Sequence, residues 1–181
     1  MNRSVTLHQV ANIAGLLLLS LILTTAFADQ ILNHDLPCPL CLLQRISFIG
    51  IGIIMIMNLK LGIKPSHYGL MILQALLGLG IAVRQIYIHL GQTDTGYGNM
   101  ILGLYMYQWS AVCFTLMLIL IAIGLLLDAA FTVPIQNNNA WLLGLFIYFL
   151  LITLANAMNA FLLCGPYKCP GSPTSYYFFN L

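Results

Sequence analysis

The chain has 181 residues, of which 61% are hydrophobic and 6% charged, with a formal net charge of +2. A soluble domain is about 25% charged, so this composition cannot clothe a water-facing surface, and its apolar content excludes a disordered chain. Six Lys and Arg with no cluster also exclude a nucleic-acid-binding surface, which must neutralise phosphates. What remains is a polytopic membrane protein.

A helix needs roughly 20 apolar residues to cross the hydrocarbon core. Five stretches qualify: residues 11–28, 41–59, 68–89, 104–127 and 140–163. The predicted connections carry loop punctuation at Lys64-Pro65-Ser66, at 91–98 and at 134–139. The first stretch also reads like a signal sequence, with Arg3, an apolar run and Ala26-Phe27-Ala28 before Asp29. The further spans that follow favour a retained helix, and cleavage would leave the remaining topology unchanged. The expected fold is an all-α polytopic membrane helix bundle, one membrane domain over residues 1–181.

Orientation follows the Lys/Arg bias. With the N-terminus inside, Arg3, Lys60 and Lys64 are cytoplasmic and Lys168 is outside.

Four of the five cysteines form two pairs. Cys38-Pro39-Leu40-Cys41 precedes the second span, and Cys164 and Cys169 flank Gly165-Pro166 after the fifth. One pair follows one span and the other follows five, so both emerge on the same face. The charge bias makes that the outer face, where disulfides form and persist. Pro39 suits the first turn of a helix capped by Cys38, and Cys38 and Cys41 then share a helical face. Unpaired N–H groups and the helix dipole favour a thiolate there. Arg45 follows one turn deeper, and a cation within a span points to function.

Two other readings of the Cys-x-x-Cys stay open: half of a zinc site completed by Cys164, Cys169 or His34, or an inert structural disulfide. Cys164 and Cys169 are close enough in sequence to bond across their turn, as a cycling disulfide or as a staple. Cys113, alone within the fourth span, is expected to be a packing residue.

The segment Leu36-Pro37-Cys38-Pro39-Leu40-Cys41-Leu42-Leu43-Gln44-Arg45 resembles the DsbB family. Arg84-Gln85-Ile86-Tyr87-Ile88-His89 is a second match, and the stretch from Gly96 to Ser110 is similar to the loop and fourth-span entry of divergent members. The likeness covers about residues 10–130. It implies a DsbB-like four-helix core there, with an added span at about 140–163 and an outer-face tail at 164–181. A looser similarity is to the vitamin K epoxide reductase type, another quinone-linked bundle.

The resemblance implies an enzyme of the bacterial inner membrane. Such a protein is a quinone-linked thiol–disulfide oxidoreductase that passes electrons from a periplasmic, thioredoxin-fold, DsbA-like oxidase to ubiquinone or menaquinone, and so supports disulfide bond formation. Cys38 and Cys41 match the family's quinone-linked pair on the periplasmic face, and Arg45 its quinone-binding arginine. His89 falls where a second quinone-side residue is expected. Gln85 shares a helical face with His89, which makes Gln85 and His89 the expected quinone-facing pair, whereas Arg84 points away and reads as an interfacial residue snorkelling to headgroups. The chain departs from the family in lacking cysteines at 90–103. Cys164 and Cys169 stand as a possible second redox pair in their place. The competing class is a non-enzymatic membrane protein with structural cysteines or a metal site, to which the methionines would add a copper reading.

Overall fold

The computed structural model describes residues 3–33, 36–90, 100, 102–126, 140–166, 169, 176 and 177. These build five long helices: α1 (Arg3–Leu32), α2 (Pro39–Leu61), α3 (Pro65–His89), α4 (Met106–Leu126) and α5 (Ala140–Cys164). Each is long and apolar enough to cross a membrane. The expected loops at 91–98 and 134–139 lie outside the described residues.

The helices start and stop for reasons legible in the chain. Cys38 caps α2 with its sulfur on the Cys41 N–H, and Pro39 follows it in the first turn. Proline is preorganised there and has no N–H to leave unpaired. Pro65 opens α3 in the same way, so that helix starts three residues before the expected 68, and the turn between α2 and α3 shrinks to three residues, 62–64. α1 continues through Ala26-Phe27-Ala28 without a break.

α2 is the central helix, packed on α1, α3 and α5, while α4 packs on α3. Lipid is as apolar as Leu, so close packing and interhelical hydrogen bonds drive assembly rather than apolar burial. Phe114 of α4 shows the packing. It is fully buried, stacks on Phe48 of α2 with centroids 4.1 Å apart, and lies over Gly78 of α3. A Cβ on Gly78 would collide with that ring.

Alternating direction brings the C-terminal ends of α1, α3 and α5 to the N-terminal ends of α2 and α4. Both cysteine pairs lie at this end of the bundle. Arg84, near the end of α3, is exposed.

Candidate active site

Cys38 and Cys41 are free thiols with sulfurs 3.0 Å apart. The helix start sets this spacing. The Cys41 N–H donates to Cys38 Sγ at 3.3 Å, so the free amide of the first turn serves Cys38, the expected cap. The hydrogen bond to Cys41, then burial, holds the Cys38 thiol above the ordinary thiol range. Cys38 is thus the sulfur of the pair that gives up its proton last. Cys38 is 4% exposed, and Cys41 opens onto a cavity.

That cavity holds about 270 Å³ and lies where α1 and α4 flank α2. Ile22, Ala26, Asp29 and Gln30 line it from α1, and Tyr107, Trp109 and Cys113 from α4. Cys41, Gln44, Arg45 and Phe48 line it from α2. Ligand sites for drug-sized molecules run from about 300 Å³ upward, so this one has room for a single ring-sized group. Its walls are mostly apolar and aromatic, with the Cys41 and Cys113 thiols, the Arg45 guanidinium and the Asp29 carboxyl among them.

Arg45 is held by three neutral oxygens. Its guanidinium donates to Gln30 Oε1 at 3.1 Å, to Asn156 Oδ1 at 3.2 Å and to the Ala26 carbonyl at 2.9 Å. Gln30 and Asn159 exchange reciprocal amide bonds at 2.9 Å, and Gln30 also donates to the Tyr176 hydroxyl at 3.0 Å. A buried cation needs hydrogen bonds to offset its lost hydration. These three ligands orient Arg45 and carry no charge of their own, and the Asp29 carboxyl lines the same cavity.

Gln85 is fully buried, and its amide lies against the thiols rather than lining the cavity. Its nitrogen donates to Cys38 Sγ and to Cys41 Sγ, both at 3.2 Å, and its oxygen accepts from Gln44 Nε2 at 2.8 Å. His89 is half-buried, with Nδ1 2.8 Å from the Gln85 carbonyl oxygen and its ring stacked on Tyr107 at 5.2 Å. It stands behind a cavity wall rather than in it. Of the predicted site residues, Cys38, Cys41, Arg45 and Gln85 are thus brought together around α2, with His89 one layer out.

Sequence reasoning passed over Gln30, Gln44 and Trp109. The signal for the two glutamines was present, since each is an uncharged polar residue within an apolar helix. Cys113, expected only to pack, is half-buried and lines the cavity.

Cys164 and Cys169 form a disulfide. Gly165, at a φ of 63°, ends α5 with its N–H on the Phe161 carbonyl at 2.8 Å, and only glycine adopts such a turn at no steric cost. Tyr176 reaches the same bundle end as the thiols through Gln30. Both disulfide cysteines are partly exposed. Among the described residues no group of three His, Cys, Asp or Glu side chains gathers to hold a metal ion. His34, considered for a zinc site, lies outside the described residues.

The family model of the disulfide bond formation protein DsbB matches residues 8–98. The chain belongs to the DsbB family. The match runs from α1 through α3 and includes Cys38, Cys41, Arg45, Gln85 and His89, while α4 and α5 lie beyond it. A curated relative, disulfide bond formation protein B of Burkholderia thailandensis, is 29% identical over 98 residues, 49% of this chain and 56% of that protein. The chain thus spans little more than half the length of that relative. No solved structure matches it. Family membership and five membrane-length helices make this a multi-pass membrane protein.

Proposed function

We propose that this protein is a membrane thiol–disulfide oxidoreductase that takes electrons from a soluble, DsbA-like thioredoxin-fold partner on the periplasmic face and passes them to membrane quinone, ubiquinone or menaquinone. The observation that carries this reading is the free Cys38/Cys41 pair, with Cys41 opening into an aromatic cavity that it shares with the Arg45 guanidinium. The donor set suits a quinone: a cation for a developing oxyanion, flat aromatic walls for a ring, and a thiol nucleophile at hand.

The residues divide the work as follows. Cys38 keeps its proton and holds Cys41 as the reactive sulfur. Arg45, oriented by Gln30, Asn156 and Ala26, stabilises negative charge within the cavity, where low dielectric strengthens that effect. Two electrons leave the Cys38/Cys41 pair as its disulfide closes, along with the proton that Cys38 holds; Cys41, reacting as the thiolate, has already released its own. A bound quinone supplies the two-electron acceptance; position and charge come from the protein.

Accessibility supports a second redox step at Cys164–Cys169. A protein thiolate must approach the sulfur it attacks. Cys38 is buried and Cys41, partly exposed, faces the cavity, while both cysteines of the tail disulfide are partly exposed at the same end of the bundle. In this step the partner's thiolate attacks Cys164–Cys169, and the partner's second thiol resolves the mixed disulfide. The partner leaves oxidised and the tail leaves as a dithiol. The tail dithiol then reduces a Cys38–Cys41 disulfide and closes again.

The test is oxidation of a reduced thioredoxin-fold protein by the purified chain with a soluble ubiquinone analogue as acceptor. Quinone loss should match partner disulfide gained, one for one. Partner oxidation without quinone consumption would refute the quinone route. A double Cys164→Ser, Cys169→Ser variant should lose protein-thiol oxidation while still passing electrons from dithiothreitol to quinone. Unchanged protein-thiol turnover would reduce the tail disulfide to a staple.

A further inference from the structure

Gln85 carries no charge, is not among the residues lining the Cys41 cavity and is fully buried, yet its amide nitrogen lies 3.2 Å from each sulfur of the Cys38/Cys41 pair. A carboxamide has two N–H donors on its nitrogen and an acceptor on its oxygen. Here one nitrogen serves two sulfurs. The oxygen stands farther from Cys41, at 3.7 Å, and accepts from Gln44 Nε2 at 2.8 Å. Turning the amide over would set its N–H groups against the Gln44 donor and its oxygen against the sulfurs. Gln44 therefore fixes which end of Gln85 the sulfurs meet.

We infer that Gln85 is the positioning residue of the thiol pair, an amide clamp, locked by Gln44, that favours the reduced, anionic state of Cys38/Cys41 over the disulfide. The chemistry is one of unequal acceptors. Hydrogen bonds to an ionised acceptor are about twice as strong as those between neutral groups, and a disulfide sulfur carries no charge. Two donors held on the sulfurs thus pull the couple toward its reduced form and make it a stronger oxidant of incoming thiols. The clamp also keeps the sulfurs in mutual contact at 3.0 Å, ready to close when electrons leave. It sits on α3, whose end is tied down by the His89 ring against Tyr107 of α4.

This inference rests on the redox role proposed for the pair, but its readouts need no quinone. The reduction potential of Cys38/Cys41 is measured on the full chain in detergent against dithiothreitol buffers, alongside the pH profile of iodoacetamide alkylation. Gln85→Leu should shift the equilibrium about tenfold toward the disulfide, about 30 mV more negative for a two-electron couple. Its alkylation profile should move to higher pH. Gln85→Glu keeps the shape but replaces the donors with an anion, so its shift should be at least as large. Gln44→Leu, which only unlocks the amide, should move both readouts the same way by about threefold, or about 15 mV.

A loss of thermal stability with unchanged potential and unchanged pH profile, in either Gln85→Glu or Gln44→Leu, would make Gln85 a mere packing residue and overturn the inference. Shifted potentials in a protein that never reduces quinone would leave the clamp standing and remove the quinone reading instead.

Discussion

Two buried polar clusters occupy opposite ends of this bundle, and they are built differently. At the end away from the cysteines, Asn58 donates to Asn12 Oδ1 at 3.0 Å and its oxygen meets His67 Nδ1 at 2.9 Å. Asn12 donates to the His8 carbonyl at 2.7 Å, and His8 Nδ1 meets the Tyr68 hydroxyl at 2.9 Å. These residues tie α1, α2 and α3 with partners that need no formal charge. At the cysteine end, the bonds instead converge on groups whose charge changes or is left over: the Cys38/Cys41 sulfurs and the Arg45 guanidinium. Both clusters meet the same demand, that polar groups in hydrocarbon be bonded. A structural cluster ends in mutual satisfaction, whereas the cysteine-end cluster leaves a cation and a thiol facing a cavity.

That contrast can be broken by mutation. The largest effect is expected from Cys41→Ser, which removes the reactive sulfur. Quinone reduction by dithiothreitol should fall to background while the melting temperature stays close to the parent's. Residual turnover well above background would place the chemistry elsewhere.

Arg45→Ala should come next. Losing a charged hydrogen-bond partner costs about 1.5–3 kcal/mol, so quinone turnover should drop by about 10- to 150-fold, with thiol exchange at the cysteines retained. Arg45→Lys should recover only part of the loss, because a point charge cannot reach Gln30, Asn156 and Ala26 together as the planar fork does. Equal loss of exchange and quinone reduction in the folded variant would remove the specific role.

The smallest effect on activity is expected at the opposite end. Asn58→Leu strands Asn12 and His67. Hydrogen bonds between membrane helices are worth about 0.6–1.7 kcal/mol each, so thermal or denaturant unfolding should show a loss of about 1–3 kcal/mol for the pair. Turnover per folded molecule should not change. A large fall in turnover would mean that the two ends are coupled and that the contrast is false.

Much of this was legible in the chain because the relevant signals are local. Five apolar runs gave five helices, and a proline after a cysteine gave the capped start of α2. The two asparagines of α5 stand out as polar residues in an apolar span, and Asn156 and Asn159 meet Arg45 and Gln30 across helices. What stayed hidden depends on which helix lies beside which. Helical periodicity puts Gln85 and His89 on one face of α3, but not which neighbour that face meets. It therefore suggested a shared cavity wall, when the Gln85 amide turns to the sulfurs and His89 stacks on Tyr107. The acceptors of Arg45 come from α1 and α5, far away in sequence, and no spacing rule reaches across them. The helix dipole was correctly placed at the cysteines, and the capping geometry gives its free N–H to Cys38.

A single turnover tests whether Cys38/Cys41 hands its electrons to quinone. The full chain, with all thiols reduced and excess reductant removed, is mixed without oxygen with a substoichiometric ubiquinone analogue, and its thiols are then mass-tagged by alkylation. One disulfide should form for each quinone reduced: Cys38–Cys41 in the double Cys164→Ser, Cys169→Ser variant, and in the wild type Cys38–Cys41 or the Cys164–Cys169 bond to which it passes the oxidation. Quinone left oxidised, with Cys38 and Cys41 both still taking the tag, would contradict that transfer.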